Sequence, residues 1–239
     1  MSSHASAHRD SFARDRLPPA SLMPDLRLAE AGLQYPPRLN VTKILVDAWV
    51  EKGEGQRRCI LSPQGTWTYQ DLAEKINRIA NVLTRTLGLL PGQRVLLRSA
   101  NSPMLIAVYL AIIKAGGIVV ATMPMLRAKE LNYFIRKAHI HLALCDHALL
   151  AELESAQQAS SELKQIMTWG DGSPASLEHA MEQADPDFEA VDTAADDICL
   201  ISFTSGTTGE PKGTLHYQRD LLAITDTYGC LLYTSDAAD

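Results

Sequence analysis

Two periodicities alternate along this chain. Short apolar runs centred on Arg94–Arg98, Ile118–Ala121, His141–Cys145, Gln165–Thr168 and Ile198–Phe203 have the length of strands, and the last reads as buried on both faces. Between them, apolar residues recur every three or four positions. The clearest such stripe is Leu72, Ile76, Ile79, Ala80, Leu83 and Leu87, with Glu74, Lys75, Asn77 and Arg78 turned to water. Thr68 supplies its N-cap, and Asp71 three residues later approximates a capping box. Met104 to Ala115 is apolar nearly all round, which predicts a buried helix opened by Ser102 and Pro103 and ended by Gly116. Leu131, Phe134, Ile135 and Ala138 mark another helix, and further ones fall at 148–159, from Ser176, at Val41–Val50, and over Leu215–Tyr228. Cys59–Leu61 and Thr66–Thr68, joined by Ser62-Pro63-Gln64-Gly65, predict a short hairpin. Strands alternating with helices imply βαβ units, hence an α/β fold with a mostly parallel, doubly wound sheet flanked by helices.

The ends depart from this pattern. Residues 1–40 hold five of the twelve prolines and predict an extended arm lying over the domain. Residues 41–229 form the regular part. Residues 230–239 (Cys230 to Asp239) continue no element and look like translated read-through of a transposon-end sequencing adapter, a non-native tail. The segment Asp185–Asp197 reads as a solvated acidic connection.

Composition narrows the function classes. A net charge of −6 without any basic cluster argues against nucleic acid as a partner. The most apolar window, Met104–Ala115, is too short to span a bilayer, and no secretory leader opens the chain, so a cytoplasmic protein is expected. The four cysteines show no CxxC spacing and read as ordinary thiols. The seven histidines form no metal-ligand pattern: His139 and His141 share a strand face, but no carboxylate or cysteine at metal spacing joins them. No metal ligand is assigned.

The chemistry concentrates in Thr204-Ser205-Gly206-Thr207-Thr208-Gly209-Glu210-Pro211-Lys212-Gly213. Glycines allow the backbone close to an anion, free N–H groups of such a loop cradle phosphate oxygens, and hydroxyls and a lysine add donors and charge. A strand before it and a helix after it complete the expected phosphate-binding element. The P-loop pattern G-x-x-x-x-G-K-[ST] does not fit, because Pro211 stands where its second glycine would be and Gly213 follows Lys212. A polar surface turn is the plain alternative.

The pattern T-S-G-T-T-G-x-P-K-G resembles the signature of adenylate-forming enzymes, the AMP-binding superfamily of acyl- and aryl-CoA synthetases, luciferases and peptide-synthetase adenylation domains. Phe12-Ala13-Arg14-Asp15 with Leu17-Pro18-Pro19, Tyr35-Pro36 with Leu39-Asn40, Lys114-Ala115-Gly116-Gly117 and Ala121-Thr122-Met123-Pro124 resemble the aryl-CoA ligases, closest to the 2-aminobenzoate-CoA and benzoate-CoA ligase branch. The resemblance implies a first part of the large N-terminal domain of such an enzyme. It also implies an ATP-dependent reaction in which a carboxylic acid forms an acyl-adenylate and pyrophosphate, and coenzyme A then displaces AMP, with Mg²⁺ as cofactor. Thr204, Ser205, Gly206, Thr207, Thr208, Gly209 and Lys212 would hold the ATP phosphates. Where many relatives have His-Arg-Asn or His-Arg-Asp, this chain has Gln218-Arg219-Asp220, and no imidazole role is assigned. Relatives are about twice this length; the adenine segment, the ribose-binding aspartate, the Mg²⁺-binding glutamate and the catalytic lysine all belong to the part beyond. No catalytic residue is therefore assigned, and the fragment is expected to be inactive alone. A fatty-acid ligase, a peptide-synthetase adenylation domain and a non-catalytic nucleotide-binding fragment remain open alternatives.

Overall fold

A computed structural model describes residues 5–204 and 209–229. The helix expected at Val41–Val50 is a π-helical turn, Lys43–Asp47, running into α1 (Ala48–Glu51). The hairpin follows as β1 (Arg58–Ser62) and β2 (Gly65–Thr68), antiparallel, with Ser62 opposite Gly65. Then come α2 (Tyr69–Asn81), β3 (Arg94–Arg98), α3 (Pro103–Lys114), β4 (Ile118–Thr122), α4 (Ala128–Ala138) and β5 (Leu142–Asp146). The described chain closes with α5 (Leu150–Gln158), β6 (Gln165–Trp169), α6 (Leu177–Glu182), β7 (Ile198–Thr204), β8 (Lys212–Tyr217) and α7 (Gln218–Ile224).

The helix boundaries follow the expected chemistry. Asp71 Oδ2 accepts from the Thr68 amide at 2.8 Å, and Thr68 Oγ1 accepts from the Asp71 amide at 3.2 Å, a complete capping box for α2. Ser102 caps α3 through the Leu105 amide at 3.1 Å, with Pro103 in the first turn. Gly116 ends α3 at φ +75°: its amide reaches the Ile113 carbonyl and that of Gly117 reaches Ile112, a Schellman closure.

β3 to β8 form one sheet in the order β6-β5-β3-β4-β7-β8. The first five are parallel, and β8 alone runs antiparallel to β7. Crossover direction decides which face each helix covers. The chain steps one way from β3 to β4 and from β6 to β7, and the other way from β4 to β5 and from β5 to β6. Right-handed crossovers then put α3 and α6 on one face and α4 and α5 on the other. Packing agrees. Val95, Leu97, Val119 and Leu144 meet α2, α3 and α6, whereas Leu96, Val120, Ala143 and Cys145 meet α4 and α5. Successive strand residues serve opposite cores, which is why these strands read as continuous apolar runs.

The sequence reading needs correction at two places. Leu215–Tyr228 is not one helix: Lys212–Tyr217 is β8, and α7 begins only at Gln218. The expected strand–loop–helix is therefore a β-hairpin, because an antiparallel return along β7 satisfies backbone groups that a helix would leave unpaired at the sheet edge. The acidic connection is also less solvated than its charges suggest. Asp187, Glu189 and Asp192 are exposed, but Asp197 is buried. It accepts from the amides of Ala7 at 3.0 Å and Ala194 at 2.9 Å and from Ser6 Oγ. The preceding loop is stitched to α2, whose Asn81 Nδ2 donates to the carbonyls of Asp185 and Asp187 at 2.9 Å each.

Residues 5–40 carry only two short 3-10 turns, Arg14–Arg16 and Ala20–Leu22. They dock through backbone contacts: Leu39 and Thr193 pair, the Ala195 amide reaches Pro37, and the amides of Arg9 and Asp10 both reach the Pro91 carbonyl. Gly92 makes the last approach possible. Its φ is +89°, and a β-carbon there would sit 2.3 Å from the Asp10 carbonyl oxygen and 2.9 Å from His8 Cβ. Gly92→Ala is expected to displace this part of the arm and to cost on the order of 2 kcal/mol, read as a lower urea midpoint and faster proteolytic trimming before Arg16.

Asp10 also pairs with the buried Arg94, its Oδ1 lying 2.7 Å from Nη1. Partial burial pushes the carboxyl up, but the Arg94 hydrogen bond, the Phe12 amide and the Arg94 charge outweigh it, leaving Asp10 below its ordinary value. A carboxyl lowered in the folded state contributes stability fully above its unfolded pKa and loses it as pH falls through the lowered folded value. Asp10→Asn is thus expected to be less stable at pH 7, the gap closing below about pH 4. Urea titrations at several pH values measure this, and a pH-independent gap would remove the ion pair as its cause.

Candidate functional site

β7 and β8 run side by side to the carboxyl edge of the sheet, where Thr204 stands directly opposite Lys212. Gly209 to Pro211 lead directly into the second of these paired strands. Thr204, Gly209 and Lys212 are all solvent-exposed there, and no described residue lies within 4 Å of the space a Gly209 side chain would take. Ser205, Gly206, Thr207 and Thr208 lie outside the described residues. The structure therefore brings together the two stems of the expected phosphate loop, with the lysine at one and a threonine at the other.

Aromatic packing sets the tilt of the hairpin. Phe203 stacks on Phe134 of α4 with centroids 4.2 Å apart and planes at 9°, and Tyr133 meets it edge-on at 6.3 Å. Gly213, paired with Phe203, leaves room for the ring to lie across β8: a β-carbon there would be 3.5 Å from Phe203 Cε1 and 3.1 Å from Ile201 Cγ2. Tyr133 Oη donates to the Pro211 carbonyl at 2.9 Å, with Glu210 Oε2 at 3.3 Å. Desolvation, then the Glu210 charge and hydrogen bond, raise the Tyr133 hydroxyl above its ordinary value, so it stays a donor through the neutral range.

The neighbouring loop after β4 is fixed from inside the sheet. Arg98, fully buried at the end of β3, donates from Nη1 to Met123 at 3.0 Å and from Nη2 to Pro124 and Leu126 at 2.9 Å each, while Nε reaches Leu149 at 3.2 Å. Carbonyls of the Ala121–Pro124 region are thus turned inward. Met123 and Met125 remain exposed beside them.

Gln218 points away from the hairpin. It is buried, and its Oε1 accepts from the Val41 amide at 2.9 Å, tying the start of α7 to the start of the regular chain. A cavity of about 530 Å³ between Lys43, Asp47, Asn77, Lys114 and residues 186–190 opens at the opposite, amino-terminal end of the strands, so it is not part of this site. Tyr133, just off the helical stripe, escaped the sequence reading, which took Phe134 only as a helix position and Arg98 only as part of a strand. Nor did spacing supply a third ligand to His139 and His141, yet the fold places Glu162 beside both.

Residues 46–238 match the AMP-binding enzyme family. Benzoate–CoA ligase of Thauera aromatica is 28% identical over 197 residues, covering 82% of this chain and 37% of the relative. An anthranilate CoA ligase, AuaEII, in complex with anthranoyl-AMP superposes with a TM-score of 0.78 at 23% identity, over 86% of this chain and 39% of that one, a likeness of fold. ATP-bound MatB of Rhodopseudomonas palustris superposes with a TM-score of 0.67 at 27% identity, over 78% and 37% of the two chains. The chain thus spans less than two-fifths of these relatives' length.

Removing the Tyr133 hydroxyl tests the anchoring of the hairpin. Tyr133→Phe is expected to leave the fold intact but to speed amide exchange across Lys212–Leu215 a few-fold, as the Pro211 carbonyl loses its partner. Unchanged exchange there would show that the aromatic stack alone holds the hairpin.

Proposed function

The chain belongs to the AMP-binding enzyme family, and on that premise we propose that it is the phosphate-gripping part of an ATP-dependent aromatic acid–CoA ligase. The observation that carries the reading is that Thr204 and Lys212, which flank the centre of T-S-G-T-T-G-x-P-K-G, pair at the carboxyl edge of a mostly parallel sheet, the usual place for ligands in open α/β sheets. The benzoate- and anthranilate-directed relatives support an aromatic acid, with 2-aminobenzoate or benzoate as the first candidates.

In this reading Lys212, the hydroxyls of Thr204, Ser205, Thr207 and Thr208, and the backbone at Gly206 and Gly209 hold the β- and γ-phosphates of ATP. The acid's carboxylate attacks the α-phosphorus, the bond to the bridging oxygen breaks, and pyrophosphate leaves. In this reading the lysine and the hydroxyl donors of the loop match the developing charge of the pyrophosphate. Pro211, held by Tyr133, limits how far the lysine stem can swing. Mg²⁺ would supply further charge neutralisation on the phosphates, and coenzyme A the thiol that releases AMP. The resemblance assigns the Mg²⁺-binding glutamate to the part of the relatives that this chain does not cover.

Two measurements separate the alternatives. In a protein extended to the relatives' full length, Lys212→Ala is expected to lower acid-dependent pyrophosphate release by about 10²–10³-fold; an unchanged rate would reject the phosphate role. Transfer of the acyl group to a carrier-protein thiol in place of CoA would move the chain to the peptide-synthetase class. The 239-residue chain mixed with ATP, an aromatic acid and CoA is expected to form no acyl-CoA.

A further inference from the structure

At the opposite end of the sheet from the hairpin, His139, His141 and Glu162 present one ligand atom each, all within 4.8 Å of one another. We propose that these three residues bind a first-row transition-metal dication of the Zn²⁺ type, as a structural clasp independent of the Mg²⁺–ATP chemistry.

The three come together for reasons of fold. His139 ends α4 in the left-handed conformation, φ +53°, with its amide on Arg136 and the Ile140 amide on Ile135, a position glycine usually fills and histidine tolerates. His141 leads into β5, and Glu162 lies in the loop that brings the chain back to β6, the strand paired with β5. His139 Nε2 is 3.2 Å from Glu162 Oε2, and His141 Nδ1 is 3.9 Å from the same oxygen.

The surroundings are those of a held ligand set. The Phe12 ring stacks on His139 at 5.1 Å with a 12° interplanar angle, and His141 meets His139 edge-on at 4.8 Å. The Glu162 carbonyl lies 2.9 Å from His141 Nδ1 and holds that ring beside the cluster in the metal-free chain, a contact that Nδ1 exchanges for the metal. The nearby Asp10 carboxylate is balanced by Arg94, so the site charge is set by Glu162. Bonds of about 2.0–2.2 Å to a tetrahedral ion place donors roughly 3.4 Å apart. The His139–Glu162 pair is already at that spacing, and the remaining donor needs a shift of about 1 Å, open to side chains that are 30–45% exposed. Two imidazoles and one carboxylate favour Zn²⁺, Ni²⁺ or Co²⁺ over Mg²⁺ or Ca²⁺, and the open side leaves room for water.

Isothermal titration of the untagged chain with Zn²⁺, in excess Mg²⁺, tests the proposal. One equivalent should bind, and His139→Asn, His141→Gln and Glu162→Gln should each weaken it at least about tenfold. Asparagine keeps the left-handed turn, so the metal-free unfolding midpoint of His139→Asn should stay near that of the parent while its rise with Zn²⁺ is lost. Co²⁺ should give a visible spectrum without a thiolate charge-transfer band. Affinity unchanged in the two histidine variants, or a thiolate band, would overturn the site by assigning the metal to the cysteines.

Discussion

β3 carries a guanidinium at each end, and both are taken out of water. Arg94 gives its donors to the carbonyls of Ala138, Gly92 and His139 and its charge to Asp10; Arg98 gives its donors to Met123, Pro124, Leu126 and Leu149. Burying such a cation costs several kcal/mol, and hydrogen bonds to a charged group contribute about 1.5–3 kcal/mol each, so only a full set of acceptors makes the arrangement tenable. The requirement works in both directions. The loops must bring their carbonyls to the strand, and in doing so they are fixed. Arg94 organises the amino-terminal edge, where α4 ends and the arm docks; Arg98 organises the carboxyl edge, where the hairpin and the loop after β4 lie side by side.

That division gives the molecule two working ends. At the carboxyl edge Thr204, Gly209 and Lys212 are exposed beside Met123 and Met125, with aromatic packing of Phe203 on Phe134 behind them. At the amino edge the contacts are between elements far apart in the chain, and they hold the domain together. The helices between are committed to one face or the other by crossover direction.

Local rules carried the reading where local forces decide. Thr68 with Asp71, Ser102 with Pro103, and Gly116 each place a boundary through contacts within a few residues. The five parallel strands were legible because both of their faces are covered. β8 was not: Lys-Gly-Thr-Leu-His-Tyr has too few apolar residues to declare a strand, and its pairing with β7 is a tertiary event. Tyr133 was passed over because it works through its hydroxyl rather than its ring position in the helix stripe. Glu162 reaches His141 only after the chain has run through β5, α5 and the turn back to β6, a proximity that no ligand spacing in the sequence could express. For the proposed phosphate loop, the motif stood out in the sequence and the strand β8 that carries its lysine did not.

The contact between Ser6 and Asp197 joins residues 191 positions apart. At a synthesis rate of 5–20 residues per second, the arm leaves the ribosome roughly ten to forty seconds before its partner exists. During that interval Ser6 and Ala7 lack the carboxylate they donate to, although Pro91, Arg94 and His139, the partners of the next few residues, are made earlier. The Ser6 end of the arm therefore settles only after Asp197 has emerged, later than the part that rests on Pro91 and Arg94.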